Sequence, residues 1–374
     1  MDPVTHAASG AVAMLALPSR PVTRWAVPLA ALASASPDLD IVFASTPLQF
    51  LLLHRGITHS LAAMPVLGLL LALCCYPLWR ASTPGRWSFG KVWLLTCAMV
   101  LMHIWLDVVT TYGTMIFLPF SHERVRLNGV FIIDLLLTLP LLWAVWRWRR
   151  RRGLMLLALA WVFVYPALGV GLNARHAAQA EARLQAENRQ VSHLTVLPDA
   201  FAPFFWRVLF EEQSQDGMRV REQSLDALGR PRAPETSHQA APVAQVTALS
   251  RQSVTCESFF QFTLLPVVSP LRAGDAPETP PGVRDAQALL FYDLRFGSGL
   301  AFVRRLMALR PHADIPFQLM VETAPAEAAP GAANGEPRLL RERLRFSDSK
   351  RDSHWQRPRA PRPPTLAEWL VGLR

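Results

Sequence analysis

His54-Arg55-Gly56-Ile57-Thr58-His59-Ser60 lies between two apolar runs, Ile41–Leu53 and Leu61–Trp79. Two imidazoles, a guanidinium and two hydroxyls at the edge of hydrocarbon are costly unless something uses them. Neutral histidine nitrogens suit Zn²⁺ and similar ions. Gly56 permits a turn between the histidines, and Thr58 or Ser60 can cap the helix that follows. The plainer alternative is a helix-entry loop whose histidines lie at a membrane interface. The segments on either side bear on the choice.

Leu61–Trp79 is uncharged, Val92–Val109 carries only His103 and Asp107, Val130–Trp146 carries only Asp134, and Leu154–Leu172 has no charge. Each is close to the ~17–25 residues of a transmembrane helix, so four clear spans are expected. Two shorter apolar runs precede them, residues 7–17 and Trp25–Ala35, separated by Pro18 and Pro21. Neither reaches the ~20 residues of a full span, so short helices or a re-entrant pair are expected. Asp2 and His6 do not resemble the basic start of a signal peptide.

The loop 80–91, with Arg80, Arg86 and Lys91, and the loop 147–152, with five arginines, are short and basic and are therefore expected in the cytoplasm. The turn with Arg20 and Arg24 fits the same side. Residues 1–6, 36–60, 110–129 and everything after 172 then share the opposite face. Residues 1–172 hold 13 of the 38 Lys and Arg but only 6 of the 28 Asp and Glu. Because that excess sits in loops, it sets topology and does not point to nucleic acid. Of the four cysteines, Cys74, Cys75 and Cys97 lie in apolar runs and Cys256 stands alone, so no disulfide framework or zinc knuckle is implied.

On this topology His6, Asp38, Asp40, His54, His59, His103, Asp107 and Asp134 come to one depth. Intramembrane ionisable residues usually face a bundle interior or a water-filled cavity and mark function. His103 and Asp107 are spaced i,i+4 and share a helix face. Asp38 and Asp40 offer two carboxylates after Pro37. Histidines and aspartates in these numbers suit a centre of one or two divalent metal ions, with Zn as the expected metal. Asp38, Asp40 and Asp107 are also the catalytic carboxylates expected of such a site. Taken singly, each residue has a plainer role: His103 as a helix–helix hydrogen bonder, His122 as loop surface, Asp134 as the partner of an arginine. An unpaired carboxylate at 134 would be costly, so a metal, a histidine or an arginine is expected beside it.

Asp2-Pro3-Val4-Thr5-His6, Pro37-Asp38-Leu39-Asp40, His54-Arg55-Gly56 with Thr58-His59-Ser60, His103 with Asp107, and Tyr112-Gly113-Thr114 follow in that order. Together they resemble the YdjM-type family of membrane-bound, metal-dependent hydrolases over about residues 1–170. The resemblance implies a bacterial inner-membrane protein with a hydrolase assignment. A remoter similarity to zinc-dependent phospholipase C and P1-type nucleases implies phosphoester chemistry.

After a helical stalk at 173–190, residues 191–374 read as a small β-rich or α+β extracytoplasmic domain. Val191–Val196, Trp206–Phe210, Val243–Leu249, Phe259–Leu265, Leu289–Phe296, Phe317–Val321 and Leu339–Phe346 read as its strands. Residues 266–282, 324–337 and 357–364 read as Pro- or Ala/Gly-rich loops and tail. The aromatic cluster Phe201–Trp206 suits either an interfacial loop or a core strand.

The functional expectation is a multi-pass inner-membrane hydrolase acting at the outer face on an ester, a phosphoester of a lipid or envelope component, with Arg55, Arg124 and Arg126 holding an anionic headgroup. The alternatives are a non-catalytic assembly protein with a structural metal and a His/Asp-based transporter. A transporter needs polar residues in both halves of the membrane, and here the inner half has almost none.

Overall fold

Asp2 accepts a hydrogen bond from the Thr5 amide and Pro3 occupies the first turn, so α1 (Pro3–Ala16) starts where the sequence supplies a cap. The computed structural model describes residues 1–82, 85–271, 286–307, 309, 317–324, 337–346 and 354–370. After the proline turn, α2 (Ala26–Ala35) returns against α1. Gly10 makes that contact possible, because a Cβ there would stand 2.4 Å from the Ala30 carbonyl oxygen. A 3-10 turn (Ser36–Phe43), α3 (Pro47–Leu53) and a second 3-10 turn (Ile57–His59) follow. The hairpin of α4 (Met64–Ser82) and α5 (Phe89–Val108) is joined where the Thr96 hydroxyl donates to the Gly68 carbonyl. α6 (Leu135–Arg147) and α7 (Arg152–Ala186) complete the bundle.

Among the described residues, four stretches are long and apolar enough to cross a membrane: Ala26–Phe43, α4, α5 and α7. Two apolar runs differ from the sequence expectation. The apolar run from Val130 gives a helix of only 13 residues, because the Asp134 carboxylate accepts from the Leu136 and Leu137 amides and starts α6 late. Residues 129–134 stay irregular where Gly129 meets Gly169 of α7; a Cβ at 169 would lie 2.1 Å from the Gly129 carbonyl oxygen. The second apolar run is longer than expected, because Pro37 sits in the first turn of the 3-10 segment and prolongs α2.

Arg152 Nε donates to the Ala16 carbonyl, which brings the arginine-rich loop to the C-terminal end of α1. The N-terminus of α1 and the histidine-bearing loop lie at the other end of the bundle. α7 runs unbroken for 35 residues through most of the expected stalk.

Beyond it, β1 (Val191–Pro198), β2 (Phe205–Ser214), β3 (Gly217–Asp226) and β4 (Thr236–Gln239) form one antiparallel sheet in sequence order. Then come α8 (Val243–Gln252) and α9 (Val254–Phe262). β5 (Pro266–Pro270), β6 (Gln287–Asp293), α10 (Ala301–Met307), β7 (Phe317–Ala324), β8 (Arg338–Phe346) and α11 (Leu366–Leu370) follow, and β5–β8 form a second antiparallel sheet.

The segments 243–249 and 259–265, expected as strands, are helical or loop instead. Ser253 caps α9 by accepting from the Thr255 and Cys256 amides, and local capping outweighs the β-branched content. The expected loop 266–282 contains β5, whereas residues 272–285 and 325–336 lie outside the described residues.

The two parts share a core. Phe50, Leu51 and Tyr112 from the bundle pack in one buried cluster with Phe259, Phe262, Phe291, Phe296 and Phe317. Buried Arg295 donates to the Thr111, Tyr112 and Phe262 carbonyls and pairs with Asp293 at 2.6 Å.

Candidate metal centre

Four side chains converge at the end of the bundle that carries the heptapeptide. Asp38 comes from the first 3-10 turn, His59 from the second, and His103 and Asp107 from one face of α5. One ligand atom from each lies within 4.8 Å of all the others, and all four residues are buried. His59 Nε2 stands 3.0 Å from His103 Nε2 and 3.1 Å from Asp107 Oδ2. Asp38 Oδ1 is 3.4 Å from His59 Nε2 and 3.6 Å from His103 Nε2. Ligands about 2.0–2.2 Å from a common ion stand at such separations.

Counting protons shows what these atoms offer. His103 Nδ1 lies 2.7 Å from the Ser34 carbonyl oxygen, which can only accept, so Nδ1 donates and a neutral ring presents its Nε2 lone pair. Thr58 Oγ1 donates to Asp40 Oδ2 at 3.2 Å and therefore accepts from His59 Nδ1 at 2.9 Å. His59 then presents its Nε2 lone pair as well. The carboxylate oxygens facing them, Asp38 Oδ1 and Asp107 Oδ2, have no hydrogen-bond donor among the described residues. Lone pairs that converge in this way call for a cation. When only protons are present, burial lowers the pKa of His59, but its contacts with Asp107 and Asp38 outweigh this and raise it to about 9.

The other expected site residues surround this group in different roles. His6 stacks on His103 with ring centroids 3.6 Å apart, and its Nε2 lies 3.3 Å from Asp107 Oδ1. Neither nitrogen of His6 has a hydrogen-bond partner among the described residues. Arg55 Nη2 pairs with Asp107 Oδ1 at 2.9 Å, Arg55 Nη1 donates to Thr110, and the Met1 amino group also contacts Asp107. Asp40 faces the loop: Oδ1 meets His54 Nδ1 at 3.0 Å, while Oδ2 accepts from the Arg55 amide at 3.0 Å. It thus orients the loop and His59 from behind. His54 is joined to Asp40, with its ring centroid 6.0 Å from that of His59, and burial lowers its pKa.

The residue that turns the backbone is Arg55, at φ 58°, and not Gly56. Its amide on Asp40 and its carbonyl on the Met115 amide hold that left-handed conformation.

Three expected site residues stand outside the group. Asp134 caps α6, and its carboxyl meets the Tyr165 hydroxyl at 2.9 and 3.0 Å in place of the metal, histidine or arginine expected beside it. Arg124 donates to the Leu51, His54 and Gly113 carbonyls and so clamps the histidine loop; burial lowers its pKa to about 10. Arg126 has one buried nitrogen, Nη1, without a partner among the described residues. Sequence reasoning missed the Ser34 carbonyl, which carries no side-chain signal. It also missed Tyr165, a hydroxyl inside an uncharged run and so a residue in need of a partner.

The sequence model of the YdjM inner membrane protein family matches residues 1–178. The uncharacterized protein YfhP of Bacillus subtilis (strain 168) is 32% identical over 136 residues, which cover 34% of this chain and 40% of that protein. The chain thus spans well under half the length of the curated relative it matches. No solved structure matches.

Proposed function

We propose that the chain, whose residues 1–178 match the model of the YdjM inner membrane protein family, is a membrane-bound, metal-dependent hydrolase of a lipid or envelope ester, most naturally a phosphoester. The observation that carries the reading is the convergence of two imidazole lone pairs and two donor-free carboxylate oxygens at Asp38, His59, His103 and Asp107. These four residues would hold a divalent ion, Zn²⁺ by its preference for His and Asp, with His6 next in reach. A bound ion of this kind lowers the pKa of water to about 7 and polarises a phosphoryl oxygen.

The chain's own groups supply the rest. Asp40 holds the His54 ring by Nδ1 and so directs Nε2 away from itself, as a proton acceptor beside the centre. Arg55 offsets the charge of Asp107 and keeps two buried carboxylates compatible. The basic loops at the far end of the bundle support placing this site at the extracytoplasmic face.

A second reading, a metal that only stiffens the bundle, is favoured by the full burial of His59, His103 and Asp107. Metal analysis of the purified full chain, together with hydrolysis of bis(p-nitrophenyl) phosphate, separates the two. The hydrolase reading expects about one or two ions per chain, turnover, and loss of both in His59→Ala. Metal without turnover on soluble or lipid esters leaves the structural role, and no bound metal overturns both.

A further inference from the structure

We propose that the ester reaches this centre sideways from the bilayer, past the 3-10 turn Ser36–Phe43, and that the substrate is therefore a lipid with acyl chains. This rests on the hydrolase reading and adds the route and the substrate class. The approach from the water side is closed. Phe50 stacks on Phe346 at 4.6 Å, and Tyr112 packs on Phe262 at 5.1 Å and on Phe296 at 5.9 Å. Arg295 fastens that roof to the Thr111 and Tyr112 carbonyls. Below it His6, His59, His103 and Asp107 have no exposed side chain, while Asp38 keeps 9%, Asp40 6% and His54 14%. The side chains that keep some exposure are thus Asp38 and Asp40 on the 3-10 turn and His54, which Asp40 holds beside it.

That turn ends a stretch long and apolar enough to lie in the membrane. Its outward residues are apolar and bare: Leu39 is 52%, Val42 73% and Phe43 78% exposed. Their turn packs on the second 3-10 turn, which packs on α4, where Val66 and Leu70 are likewise apolar and exposed. A bilayer lipid lying on this surface can keep its chains on Leu39, Val42 and Phe43 while its headgroup ester meets the exposed edge of Asp38. A soluble ester gains nothing from the same surface.

Photo-crosslinking tests the route without requiring turnover. The Zn²⁺-loaded full chain is reconstituted in vesicles that include a phosphatidylglycerol with a diazirine next to its headgroup, and adducts are mapped by mass spectrometry. Adducts on Asp38, Asp40 or His54 are expected, with at least tenfold fewer when the diazirine sits at the end of an acyl chain. Adducts confined to α4, α6 and α7 overturn the route, whatever the protein hydrolyses. In parallel, Val42→Asp and Phe43→Asp should lower the ratio of labelled-phosphatidylglycerol to bis(p-nitrophenyl) phosphate hydrolysis at least tenfold. An unchanged ratio also overturns it. Adducts at Asp38 without hydrolysis of either probe leave the route standing and remove the hydrolase reading.

Discussion

Two groups of buried charge lie on either side of the aromatic roof, and they are built differently. In the C-terminal part donors meet acceptors. Arg207 donates to Glu222 and to the Leu294 and Arg295 carbonyls, and Asp199 accepts from Ser298 and from the Ala200 and Gly299 amides. In the bundle, acceptors meet acceptors: Asp38 Oδ1, Asp107 Oδ2 and two imidazole nitrogens face one another. Burial is common to both, so burial alone does not mark a functional site. The sign of the groups that face each other does, because donors facing acceptors carry their own counter-charge, whereas acceptors facing acceptors need a cation.

The comparison breaks most visibly if Asp107→Asn leaves metal content intact. Loss of the central carboxylate should lower affinity for Zn²⁺ by more than about 100-fold, whereas Asp40→Asn, acting through His59 from behind, should cost about 10- to 100-fold. Titration of both variants with a competing chelator checks the order. Equal losses would make Asp40 a ligand on the same footing as Asp107.

On the matched side, Arg295→Ala should destabilise the fold by about 3–5 kcal/mol, since it leaves Asp293 buried without its partner and removes the tie to the Thr111 and Tyr112 carbonyls. Thermal unfolding in detergent measures this. A shift of less than about 1 kcal/mol would mean that the roof is held by its phenylalanines alone.

Glu222 gives the pH test. Burial raises its pKa, but His238 and Arg207 outweigh this and hold it at about 2, below its ordinary value of 4.5. A depressed carboxylate contributes stability above the unfolded pKa and loses it as pH falls through the folded one. Glu222→Gln should therefore cost on the order of 2–3 kcal/mol at pH 7, with the deficit closing between about pH 4.5 and 2. A deficit independent of pH would assign the loss to packing.

Much of this was legible in the chain. The i,i+4 pair His103 and Asp107, the Pro37-Asp38 step and His59 were visible as residue types at helix ends, and the structure brings all four together. Their division of labour was not legible, because Asp38 and Asp40 differ only in which side of a 3-10 turn they occupy, and such turns leave no strong periodicity. His54 and His59 look alike in sequence, and the left-handed Arg55 between them sends the two rings to different partners. The β-rich half was legible where strands are apolar, as in β2 and β7, and obscure where polar residues dominate, as in β3 and β4. α8 and α9 were misread because their start signals, Pro242 and Ser253, lie beside residues of high strand propensity.

The smallest effect concerns Asp134, an acid that belongs to neither group. The Tyr165 hydroxyl has one proton and three acceptors around it: both Asp134 oxygens, at 2.9 and 3.0 Å, and the Ala202 carbonyl at 2.7 Å. An ionised Asp134 would take that proton and leave the Ala202 carbonyl facing a lone pair. All contacts are satisfied if Asp134 Oδ2 carries a proton and donates to Tyr165, which then donates to Ala202. Oδ1 remains free to accept from the Leu136 and Leu137 amides. Asparagine reproduces this pattern, its amide replacing the acid proton. Asp134→Asn should therefore change stability by less than about 0.5 kcal/mol and metal content by less than about twofold, whereas Tyr165→Phe, which strands the Asp134 acid proton and the Ala202 carbonyl, should cost about 1–3 kcal/mol. A carboxylic acid C=O band in the infrared spectrum that disappears in Asp134→Asn would confirm the proton directly. A large metal loss in that variant would instead place Asp134 among the unmatched acceptors.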